Sequence, residues 1–107
     1  MLAALVSVEL HLPAARSLKA KRGPVRSLVT TLQRDLGVSA AEIAHQDLWQ
    51  RARLGVAIAA ESETLARRVA QDVERVCERD PRVEVIGFAV EIVETEEGES
   101  WERVWNG

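Results

Sequence analysis

The order in which two hydrophobic periods alternate along the chain limits the fold more than any other feature. From Leu2 to Leu12 the even positions Leu2, Ala4, Val6, Val8, Leu10 and Leu12 are apolar, while Ser7, Glu9 and His11 fall on odd positions. A period of two describes a strand with one buried face, and Pro13 then removes a backbone donor and ends the ladder. Val25, Leu28, Val29, Leu32 and Leu36 follow at spacings of three and four, the stripe of an amphipathic helix. Val38–Ala44 predicts a second strand whose broken parity calls for a bulge, and Leu54, Val56 and Ile58 predict a third. Ser62 caps a second helix with the stripe Leu65, Val69, Val73, Val76 and Cys77, stopped by Asp80-Pro81. Val83–Thr95 completes the series as a strand, with Ile86, Phe88, Val90 and Ile92 expected to face the core. The order β-α-β-β-α-β predicts an α+β, ferredoxin-like fold, with two helices on one face of a four-stranded antiparallel sheet.

Gly23-Pro24 interrupts the first helical stripe. Proline is tolerated in a first turn but costs roughly 3 kcal/mol in a helix interior. The expected arrangement is a short turn over Leu18–Arg22, then a main helix from Pro24 to Asp35 closed by Gly37 as a left-handed cap.

A chain of 107 residues is one domain, expected to span residues 1–95. Residues 96–107 form an acidic tail with Trp101, Val104 and Trp105, readable as a helical turn or as a returning strand. The apolar run Met1–Leu12 is too short to span a bilayer and carries Ser7, Glu9 and His11, so no membrane partner and a cytoplasmic location are expected. Cys77 is the only cysteine, which rules out an internal disulfide and a cysteine-built zinc site and suits a small core residue.

The net charge of −3 conceals an asymmetry. Residues 1–53 hold eight Lys/Arg against four acids, or +4, and residues 54–107 hold six against thirteen, or −7. Five of the basic residues, Arg16, Lys19, Lys21, Arg22 and Arg26, lie close together. They form either a patch that attracts phosphate or an acidic partner, or a solvated helix face balanced by the acidic half.

The outward face of the sheet should carry Leu5, Ser7, Glu9 and His11 on the first strand and Gly55, Ala57 and Ala59 on the third. None is aromatic, which excludes the base-stacking mode of RNA-recognition domains, and no GxxG loop is present. Gly55, Ala57, Gly87 and Ala89 make the face one of small residues, suited to a homo-oligomer contact or to a seat for Trp101 and Trp105. Glu9, His11, His45 and Asp47 are the obvious ingredients for metal or acid–base chemistry, but two histidines without a third ligand do not define a site. No catalytic residue, metal or cofactor is therefore expected. Trp49, followed by Arg51 and Arg53, joins aromatic and arginine residues as recognition hot spots do; closing one end of the core would account for Leu48 and Trp49 equally well.

The motifs S-L-K-x-K-R at Ser17–Arg22 and H-Q-D-L-W-Q-R at His45–Arg51 resemble those of the YlxP-like family, a bacterial family of unknown function, and the likeness extends to about Val93. The resemblance implies a ferredoxin-like fold without established catalytic activity. It also implies a gene found among translation-initiation and ribosome-maturation genes, hence a link to the ribosome or its RNA. Gly23-Pro24 departs from the family pattern, as does the tail. The combined expectation is a non-catalytic binding protein contacting ribosomal RNA or a ribosomal subunit, without readout of DNA sequence. Its contacts would come from Lys19, Lys21, Arg22 and Arg26, with His45, Asp47, Trp49 and Arg51 as a second patch. The alternative is a homo-oligomeric scaffold or small-ligand module using the sheet face.

Overall fold

The alternating segment Leu2–His11 is strand β1, and it lies inside the sheet rather than at its edge. After it come α1 (Leu18–Leu36), β2 (Ser39–Ala44), β3 (Arg51–Ala60), α2 (Glu63–Arg79) and β4 (Glu84–Glu94), in a computed structural model that describes residues 1–95. The alternatives for the tail, including a seat for Trp101 and Trp105, lie outside the described residues. The sheet is antiparallel throughout in the order β2-β3-β1-β4, the ferredoxin-like arrangement. Ala4, Val6, Val8 and Leu10 of β1 join Ala52, Leu54, Val56 and Ile58 of β3 on the face covered by both helices. Among the described residues, no helix is long and apolar enough to cross a membrane.

Both predicted caps form. Ser17 Oγ accepts from the Ala20 amide at 2.9 Å, and Ser62 Oγ from the Leu65 amide at 3.2 Å. Gly37 takes the left-handed conformation (φ 64°) and its amide donates to the Gln33 carbonyl, closing α1.

Three expectations are corrected. The first helix is not divided at Gly23-Pro24; α1 runs unbroken from Leu18 with Pro24 inside it. The carbonyl that Pro24 deprives of a partner belongs to Ala20, an exposed residue, so water can satisfy it. The turns before the proline are also pinned from outside, by the Ser17 cap and by the buried Lys21. On α2 the core-facing stripe is Ala66, Ala70, Val73, Val76 and Cys77, with Leu65 exposed and Val69 only partly buried. Alanines at the contact let the helix approach the sheet closely. On β4 a bulge between the partners of Glu9 and Leu10 makes Ile86 an extra residue and turns it outward, 50% exposed. Val85, Phe88, Val90 and Ile92 face the core.

The expected bulge in β2 falls at Ile43, where the register shifts between Glu42 and Ala44. At the corner between α2 and β4, Arg82 pairs with Asp80 at 2.6 Å and donates to Ser27 Oγ at 3.1 Å, tying this corner to α1. Arg82's hydrogen bonds hold the Asp80 carboxyl below its usual range against the opposing effect of burial. Cys77 is fully buried, and burial pushes its thiol up to about 11.

Candidate functional site

Three features converge on the end of the sheet where β2 turns into β3. The first is internal. Lys21, on the sheet side of α1, is only 2% exposed, and its Nζ donates to Glu42 Oε2 (3.0 Å), the His45 carbonyl (2.8 Å) and the Arg51 carbonyl (3.1 Å). All three ammonium donors are thereby used. This corrects the expected phosphate contact at Lys21: the residue is a clamp that joins α1 to the β2–β3 hairpin. Gln50 Nε2 adds bonds to the Pro13 and Ala15 carbonyls at 3.2 Å each, holding the hairpin against the segment that leads into α1.

The second feature is an ion cluster on the outward face. Glu9 lies opposite Arg53 in the register, and its carboxylate accepts from Arg53 Nε at 2.7 Å and Arg51 Nη2 at 3.2 Å. His45 Nε2 is 2.8 Å from Glu9 Oε2 but not aligned as a hydrogen bond. Burial acts to raise the Glu9 carboxyl; the Arg53 and Arg51 hydrogen bonds, with the charges of Arg53 and His45, outweigh it and hold the carboxyl below its usual range. Glu9 is thus neutralised rather than free to repel an anion. His11 turns to Glu84, with 3.6 Å between Nδ1 and Oε1. Asp47 is exposed and makes no side-chain hydrogen bond among the described residues. His11, His45 and Asp47 therefore do not converge, and no group of three or more His, Cys, Asp or Glu that could hold a metal ion occurs among the described residues. The alternation of the first and third strands contained the signal for the cluster, since antiparallel pairing sets Glu9 beside Arg53.

The third feature is what stays exposed. Lys19, Arg22 and Arg26, at spacings of three and four, share one stripe of α1 and make no ion pair or side-chain hydrogen bond among the described residues. Trp49 is 54% exposed in the β2–β3 loop, beside exposed Leu48. The Lys21 clamp brings this loop next to the first turns of α1, so the tryptophan and the basic stripe occupy the same end of the molecule.

Away from this end, the outward face is arranged in rungs across the sheet. One rung runs Ser39, Ala57, Leu5, Glu91 and the next Ala41, Gly55, Ser7, Ala89; on the third, Arg53 and Glu9 stand beside Gly87. Small side chains leave a shallow apolar depression of about 470 Å³ over the first two rungs. Ile43 is carried over Gly55 by its bulge, and a Cβ at Gly55 would stand 2.8 Å from Ile43 Cγ2. Of the small residues expected on this face, Gly55, Ala57 and Ala89 line the depression, while Gly87 sits beyond it against Glu9.

The sequence profile of the family described as "Protein of unknown function (DUF503)" matches residues 3–90. An uncharacterized protein of Bacillus subtilis (strain 168), YlxP, is 34% identical over 70 residues, which cover 65% of this chain and 76% of that protein. Among solved structures, the chain resembles a de novo designed protein with ferredoxin fold, LFR1 1, at a TM-score of 0.54 and 20% identity, covering 94% of this chain and 92% of that one. That likeness concerns the fold alone.

Proposed function

Because the chain belongs to the DUF503 family of proteins of unknown function, we propose a role from its own surface: it is a non-catalytic binding protein for single-stranded segments of RNA, such as those displayed by a ribosomal subunit. The unpaired stripe of Lys19, Arg22 and Arg26, at the same end of the molecule as exposed Trp49, carries this reading. Lys19, in the first turn of α1, meets the positive end of the helix dipole, and that turn holds no acid to offset it. The stripe therefore does nothing for the stability of α1, whereas a polyanion would gain from the cations and the dipole together. Trp49 offers a ring on which an unpaired base can stack, independent of sequence. This contact site is on the helix and loop, not on the sheet, which fits the absence of aromatic residues from the outward face.

The test is co-sedimentation with purified ribosomal subunits and filter binding to single-stranded ribosomal RNA fragments across a salt series. Binding at low salt that weakens steeply as salt rises is the expected result. No binding at low salt to either overturns the proposal.

A further inference from the structure

We propose that the outward sheet face docks a second copy of this chain, face to face, about a two-fold axis parallel to the strands. The inference is independent of RNA binding, which uses another surface. Leu5 and Ile43 stand 47% and 51% exposed on a face otherwise floored by glycine, alanine and serine. A two-fold axis along the strands, between β1 and β3, preserves each rung and exchanges β1 with β3 and β2 with β4. Leu5 then meets Ala57 of the second copy, a large residue over a small one. Ala41 meets Ala89, and Ile43, which stands over Gly55, comes against Ser7. Glu9 meets Arg53 of the second copy while retaining its own Arg51 and Arg53, giving a group of two acids and four arginines around the axis. Leu5 on Ala57 and Ala41 on Ala89 are complementary under this one operation, as an isologous contact requires, with Glu91 set against Ser39 at the margin.

An axis across the strands at the level of Val8 would lay Arg51 on Ala57 and His11 on Leu5, and set Glu91 against Glu84, burying charge on apolar surface and pairing like charges. Four strands about 4.8 Å apart and six to eleven residues long give a footprint of roughly 600 Å² per copy, or about 1,200 Å² for the pair, which reaches the range of specific interfaces. Small residues on both sides suit sheets stacked about 10 Å apart.

Sedimentation velocity on the full chain is expected to give twice the 11.8 kDa chain mass at micromolar concentration. Ala57→Glu, on an exposed position, should weaken the dimer roughly 100-fold by burying an unpaired charge in each copy, with an unchanged circular dichroism spectrum. The decisive arm exchanges the pair. Ala57→Leu alone should weaken association by overpacking, and adding Leu5→Ala should restore it, because the two positions face each other. A monomeric wild-type chain overturns the proposal, including the case where native mass spectrometry finds a small apolar molecule on the face or where the chain's own residues 96–107 cover it. So does a dimer indifferent to Ala57→Glu, or one that the exchanged pair leaves weakened.

Discussion

Lys21 Nζ donates to the carbonyl oxygen of His45 across 2.8 Å, and His45 (φ 66°) is the one non-glycine residue in the left-handed region among those described. The buried ammonium thus holds the hairpin at the point where its backbone is most strained. Lys21→Met keeps the aliphatic stem but removes the charge, stranding Glu42 and two carbonyls. A loss of about 3 kcal/mol in urea unfolding is expected, as for a broken buried pair. A change under 1 kcal/mol would show that the clamp does not hold the hairpin.

Replacing Lys19, Arg22 and Arg26 together with glutamine has the opposite profile. Stability should stay level or rise by a few tenths of a kcal/mol, since cations leave the positive end of a helix dipole. The slope of log K against log salt for single-stranded RNA should flatten by about 2, for about three lost phosphate contacts. Trp49→Ala should cost roughly 1–3 kcal/mol of RNA binding without altering that slope, because stacking releases few counterions.

Acid should weaken the fold through Glu9. Its carboxyl titrates lower in the folded chain than in the unfolded one, so between the two values the unfolded state binds more protons and stability rises with pH. The contribution is complete above the unfolded value, about 4.3, and disappears as pH falls through the lower folded value. Glu9→Gln should flatten the stability–pH curve in this window and cost about 1–2 kcal/mol at neutral pH through the lost charge-assisted bonds to Arg51 and Arg53. An unchanged acid limb in thermal melts would exclude Glu9 as its source.

Gly23 has nothing within 4 Å of where a side chain would begin. Gly23→Ala should therefore stabilise α1 by about 0.5–1 kcal/mol through helix propensity alone. Pro24→Ala restores a donor for the Ala20 carbonyl and should slow exchange of the new amide at position 24, measurable by hydrogen exchange. Loss of stability in Gly23→Ala would mean that this turn needs glycine's freedom.

The fold was legible because periodicity is a local signal: six segments, their caps at Ser17 and Ser62 and the left-handed Gly37 could all be read from neighbouring residues. The errors arose where distant residues decide. Pro24 was given the usual cost of a helix interior, but Lys21 and its partners on another element hold the preceding turns in place. Lys21 looked like its basic neighbours in composition; only the packing of α1 over the hairpin separates a buried clamp from an exposed stripe. Parity and spacing place Ile86 and Leu65 inside, but a single inserted residue in β4 and alanines at the α2 contact leave these two exposed, while Phe88, Val90, Ile92, Val73, Val76 and Cys77 stay on the core side.

The bulges at Ile43 and Ile86 lie on β2 and β4, the two outermost strands among the described residues. Each interrupts the regular row of amides and carbonyls that another chain would need to extend the sheet sideways. Glu84, Glu91 and Glu94 add negative charge along β4, discouraging the same approach. Growth by strand addition has no natural end and leads to fibres, whereas contact through a single face is saturated by one neighbour. The two bulges thus work against open-ended growth at either edge of the sheet.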